Sequence, residues 1–209
     1  MRFFVTRKKH LKKMNIFNIL AQKLKKFYGT IADENGVYFH EDFFNQVEFL
    51  PRENLFYLKK ENEKIESFAE ENFDSNGFTD IYLRNENPVT IANKKFSVDK
   101  LDKLLLSLHL KKNIEVYEGY ASTKQKCKNT FAYSYKSADI IITFKDNVVH
   151  DFWINGFRFC KDIETKSKLK SVLFIIGNEM DLILNDWDLP AVIDLKNENE
   201  IQKYLNEEL

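Results

Sequence analysis

The segment IIITFKDNVVHDFWI, residues 140–154, restricts this chain more than any other. Ile140 to Phe144 and Val148 to Ile154 are β-branched and aromatic, and Lys145-Asp146-Asn147 supplies a turn between them, which predicts an antiparallel hairpin. Leu169, Val172, Leu173 and Ile176 then recur at helical spacing, with Gly177 as the expected stop. Hairpin followed by helix, with no alternating parallel units upstream, points to an α+β fold of antiparallel sheets with helices on one face.

The rest of the chain follows the same grammar. Val37 to Phe39 and Val47 to Leu50 predict two strands around a polar tip, followed after Pro51 by a helix with Leu55, Leu58, Ile65 and Phe68 inward. Strands are expected at Asp80 to Leu83 and Val89 to Ala92, then a helix capped by Ser97 and carrying Leu101, Leu104, Leu105 and Leu108. Further strands are expected at Ile114 to Tyr120, Thr130 to Tyr135, Leu182 to Leu184 and Ala191 to Leu195. A last helix is capped by Asn197, with Glu200 at its third position.

Asp80-Ile81-Tyr82-Leu83 matches Asp181-Leu182-Ile183-Leu184, and Leu101 matches Ile201, at an offset of about 100 positions that suggests two ββαββα halves. Residues 1–30 are expected to form a basic amphipathic helix, 31–110 a first α+β half, and 111–209 a second half packed with it as one compact unit. The stripe Leu11, Met14, Phe17, Leu20, Leu24 and Phe27 marks the helix, Gly29 would end it, and Met14 is a second available start.

With 209 residues, 44% hydrophobic, the chain has enough apolar content for one sizeable core, and its scarce Gly (6) and Pro (3) argue against linkers. The longest apolar run is the five-residue VLFII at 172–176, far below the roughly 20 residues that span a bilayer. Cys127 and Cys160 show no CxxC spacing and are expected as free thiols in a cytoplasmic protein. Net charge is zero, yet nine of the 32 basic residues lie in residues 1–26, which hold no acid. The remaining body, with 32 acids against 23 bases, is acidic, which argues against nucleic acid as the partner despite Lys124, Lys126 and Lys128 beside Tyr133 and Tyr135.

Chemistry-bearing candidates are few. His40-Glu41-Asp42 could supply metal ligands, but adjacent strand residues point to opposite faces and no HxH or HxxxH spacing occurs, so a hairpin tip is the expected reading. Asp186-Trp187-Asp188 has the DxD form of some glycosyltransferases, without the nucleotide-binding units that such an enzyme needs. Glu164-Thr165-Lys166 with Asp151 has nuclease spacing but sits where a helix begins. Cys127 or Cys160 with His150 would make a nucleophile and base only if folding joined them. No catalytic residue, cofactor or metal is assigned.

What remains is recognition. Glu41, Asp42, Phe43 and Phe44 in one turn, and Asp186, Trp187 and Asp188 in another, combine aromatic anchors with carboxylates as protein-binding hot spots do. The segments LKSVLFIIGNEMDLILNDWDLPAVIDLKNENEIQKYL and YFHEDFFNQVEFLP resemble small bacterial immunity proteins of polymorphic toxin systems. That resemblance implies a cytoplasmic, non-enzymatic protein that binds and blocks a cognate toxin; an acidic body would suit a basic one. The alternatives are a small interaction or regulatory protein with another partner, or an enzyme whose site is assembled from distant residues.

Overall fold

Short strands of alternating pattern pair into one antiparallel sheet with layers packed on both of its faces. The computed structural model describes residues 36–74, 77–83, 86–120 and 123–208. In chain order the elements begin with strand β1 (Val37–His40), strand β2 (Val47–Pro51), helix α1 (Leu55–Glu71), and the two-residue strands β3 (Phe73–Asp74) and β4 (Gly77–Phe78). Helix α2 (Val98–Ser107) is followed by β5 (Lys111–Asn113), β6 (Val116–Gly119), β7 (Gln125–Lys126), β8 (Thr130–Tyr135), β9 (Ala138–Lys145) and β10 (Val148–Asn155). The chain ends with helix α3 (Ile163–Met180), β11 (Leu182–Asp186), β12 (Ala191–Ile193) and helix α4 (Glu198–Leu205). The expected basic helix at 1–30 lies outside the described residues.

The seven-stranded sheet has the order β12-β11-β2-β10-β9-β8-β5, and every neighbouring pair is antiparallel. The chain is therefore α+β. Alternation along each strand sends side chains to two different layers. Val47, Phe49, Ile140, Ile142, Phe152, Ile154, Leu182 and Leu184 face a core completed by Leu101 and Leu105 of α2, Leu169, Val172, Leu173 and Ile176 of α3, and Ile201 and Leu205 of α4. Phe49 and Phe152 stack at its centre, centroids 4.1 Å apart.

The opposite face carries two smaller clusters. Leu50 and Ile183 lie under Leu58 and Ile65 of α1, with Trp187 beside them. Ala132, Ile141 and Trp153 lie under Val37, Phe39 and Val116 of a three-stranded sheet, β1-β6-β7, in which β1 and β6 run parallel. Three helices thus share one face, and α1 shares the other with the small sheet. Each fully buried Leu or Ile in these layers contributes roughly 1.5 to 3 kcal/mol.

Several expectations change. β1 and β2 do not form a hairpin: β1 pairs with β6, and β2 lies between β10 and β11. The pairing of the elements does not recur between the halves, so the two ββαββα repeats are not confirmed. Asp80 to Leu83 is not a strand, although its proposed counterpart is β11. Val89 to Ala92 is also not a strand, because side chains take over its backbone groups. Asn54 donates to the Val89 carbonyl at 2.7 Å and accepts from its N–H at 3.0 Å, while Thr90 and Asn93 bond reciprocally to close a turn.

Gly177 does not end α3, which continues to Met180 and closes on Asp181 in the left-handed region, φ 53°. The glycine has another use. A Cβ at this position would stand 2.3 Å from Leu195 Cβ, so its absence lets helix and chain pass closely. The caps at Ser97 and Asn197 form as expected, with Ser97 accepting from Lys100 N and Asn197 from Glu200 N.

Candidate functional site

Antiparallel pairing of β2 with β11 sets Asp186 opposite Val47, and the Trp187 N–H donates to the Gln46 carbonyl at 2.9 Å. The two acidic and aromatic stretches, 41–44 and 186–188, are therefore brought to the same end of the sheet. Their side chains divide into buried fasteners and exposed groups.

Asp186 is fully buried. One of its oxygens pairs with the Arg158 guanidinium and accepts from the Tyr204 hydroxyl at 2.6 Å. The other accepts from the N–H groups of Asp188 and Leu189 at 3.0 and 3.1 Å. This carboxylate is saturated by protein donors and is not presented to a cation, contrary to what a DxD site would need. Burial pushes the Tyr204 phenol well above its usual range, reinforced by the Asp186 charge. Burial opposes the charge on Arg158, but Asp186, Tyr204 and Asp188 more than offset it and raise the pKa.

Trp187 is not a surface anchor. It is 2% exposed, packs in the cluster under α1, and donates its Nε1–H to Glu48 Oε1 at 2.6 Å. Phe44 is likewise partly buried, its centroid 6.3 Å from Phe39 and 5.6 Å from Trp153. Glu41 and Asp42 are exposed on a single 3-10 turn, Phe43 is half-buried, and Asp188 is partly exposed while bonded to Arg158 at 2.9 Å. The His40–Asp42 stretch is thus a 3-10 turn between two sheets, started by His40 Nδ1 accepting from Asp42 N at 3.3 Å.

The remaining chemical candidates are separately engaged. Burial, with Glu118 nearby, pushes the Cys127 thiol up to about 11, opposite to what a nucleophile requires. Cys160 is buried with Sγ 3.2 Å from Ser137 Oγ, and His150 is exposed on β10. Asp151 accepts from Asn45 at 3.1 Å and from the Thr143 hydroxyl, while Glu164 is held by Lys136 and Tyr135. Among the described residues, no group of three or more His, Cys, Asp or Glu side chains is arranged to hold a metal. No described helix is long and apolar enough to cross a membrane.

Sequence reasoning missed Arg158 and placed Tyr204 only as an inward-facing residue of the last helix; together they anchor this end of the sheet. The available signal was the choice of arginine. Where most basic residues are lysine, Arg52 and Arg158 both serve forked pairing, Arg52 with the two oxygens of Asp194 and Arg158 with Asp186 and Asp188. Comparison with family models, curated proteins and solved structures finds no match to the chain.

Proposed function

We propose that this chain is a non-enzymatic, cytoplasmic protein-binding module, and specifically an immunity protein that neutralises a basic bacterial toxin. The observation that carries the reading is the division of labour at one end of the sheet. Asp186 and Trp187 are locked inward, while Glu41 and Asp42 are exposed on the neighbouring 3-10 turn with Phe43 half-buried among them, and Asp188 is partly exposed. Exposed carboxylates beside an aromatic group steer a basic partner towards that end of the sheet.

The test is co-expression with the product of the neighbouring gene, followed by calorimetry on the purified pair. Rescue from toxicity, and binding that weakens with salt and with Glu41→Lys combined with Asp42→Lys, are expected. No rescue by any neighbouring toxin, or rescue indifferent to both substitutions in a folded variant, would overturn the reading.

A further inference from the structure

The turn leaving β1 gathers three rings that an acidic tip alone does not require. The His40 ring centroid lies 6.0 Å from that of Phe43 and 5.2 Å from that of Tyr120, both edge to face. Parallel pairing of β1 with β6 puts His40 in register with Gly119, so Tyr120 follows directly at that end of the small sheet. Gly119 permits the close approach of Thr123, whose carbonyl oxygen would clash with a Cβ at this position. Thr123 Oγ1 accepts from Tyr120 N at 3.1 Å and donates to Tyr120 O at 2.6 Å. The backbone of Tyr120 is therefore fixed while the residue stays 57% exposed.

We propose that this surface is a receptor for one arginine side chain of a protein partner, with the guanidinium against Tyr120 and Phe43 and paired to Asp42. The inference rests on the protein-binding reading above and names the group recognised. Three observations support it. The Asp42 side chain is 74% exposed and its carboxylate lies 3.4 Å from Nδ1 of the His40 ring, which itself touches the other two. Among the described residues no lysine or arginine pairs with Glu41 or Asp42, whereas Asp102, Glu115, Asp162, Glu164, Asp186 and Asp194 each hold one. The same small sheet already holds a cation against a ring, Lys124 Nζ lying 4.0 Å from the centroid of Tyr117. A planar guanidinium suits both demands, stacking on aromatic faces and bonding a carboxylate in one plane.

The test titrates the isotopically labelled full chain with acetyl-Gly-Arg-Gly-amide, and with the same peptide carrying neutral citrulline, followed by NMR. Saturable shifts centred on His40, Phe43 and Tyr120 are expected with arginine, and much weaker ones with citrulline. Tyr120→Leu and Asp42→Asn should each weaken arginine binding about three- to fivefold. Equal binding of citrulline, shifts spread over all surface carboxylates, or full affinity in Tyr120→Leu would overturn the proposal. Toxin binding that survives Tyr120→Leu but not charge reversal at Glu41 and Asp42 would overturn this receptor alone and leave the binding module standing.

Discussion

Glu48 and Trp187, 139 positions apart, are joined by a 2.6 Å hydrogen bond from the indole Nε1 to the carboxylate. The bond crosses from β2 to the end of β11 and fixes an indole that is otherwise sealed in apolar side chains. Glu48→Ala leaves a buried N–H without this acceptor and is expected to cost about 1 to 3 kcal/mol, whereas Glu48→Gln keeps an oxygen and should cost less. Urea unfolding monitored by tryptophan fluorescence measures both. Equal losses would show that the acceptor is not what Glu48 supplies.

Arg158, Asp186 and Tyr204 form a pair and a hydroxyl whose members depend on each other. Asp186→Ala leaves Arg158 with only the exposed Asp188 and deprives the Tyr204 hydroxyl and two backbone N–H groups of their acceptor, so it should cost about 3 to 5 kcal/mol. Tyr204→Phe, which leaves Arg158 and two backbone N–H groups on the carboxylate, should cost roughly 1 to 2 kcal/mol. The double variant Arg158→Met with Asp186→Leu should be more stable than Asp186→Ala. A double variant no better than the single one would show that the fold needs the charges themselves.

Asp139 on β9 accepts a hydrogen bond from the Ser134 hydroxyl, whose oxygen in turn accepts from Asn113 Nδ2 at 2.8 Å. Burial pushes its carboxyl up to about 6 from an ordinary 3.8, with the Ser134 bond acting in the other direction. Between those values the folded chain keeps a proton that the unfolded chain has released. This group's contribution is therefore most favourable below about pH 4, declines as pH rises towards 6, and stays constant above. Asp139→Asn should abolish that decline and gain roughly 1 to 2 kcal/mol at pH 7. Denaturation midpoints at pH 4.5 and 7 test it, and parallel pH dependence in both proteins would refute it.

Gly177→Ala sets two effects against each other. In an exposed helix interior the change would stabilise by about 1 kcal/mol. Here the new methyl meets Leu195 at 2.3 Å and its backbone at 2.7 Å, so a net loss of about 1 to 3 kcal/mol is expected. A lower melting temperature in calorimetry is the predicted outcome; a higher one would mean that α3 and the chain at Leu195 separate without penalty.

The parts of this fold that were readable from sequence are those decided locally. β9 and β10 share a short turn, Ser97 and Asn197 cap the helices that follow them, and the stripe Leu169, Val172, Leu173 and Ile176 faces the core as its spacing requires. Strand partners were not readable, because alternation gives a strand's faces but not its neighbour; β1 and β2 look like a hairpin and enter different sheets. The site suffered from the same gap. Trp187 reads as an exposed anchor until Glu48 and α1 are placed beside it, and Asp186 reads as a free acid until Arg158 and Tyr204 arrive from 28 and 18 positions away.

The place of β2, bounded by β10 on one side and β11 on the other, governs when this protein can finish folding. Its segment leaves the ribosome long before either neighbour exists, since Glu48 waits for Trp153 and Leu50 for Ile183. At about 5 to 20 residues per second that wait lasts roughly 5 to 27 s, with an apolar strand exposed along both edges until β10 is made and along one edge until β11 follows. Chains that terminate before Leu182 would lack β11 and β12 and leave β2 as an unpaired edge of the sheet. Closure of the core therefore waits for β11, the later of the two neighbours of β2 to be made.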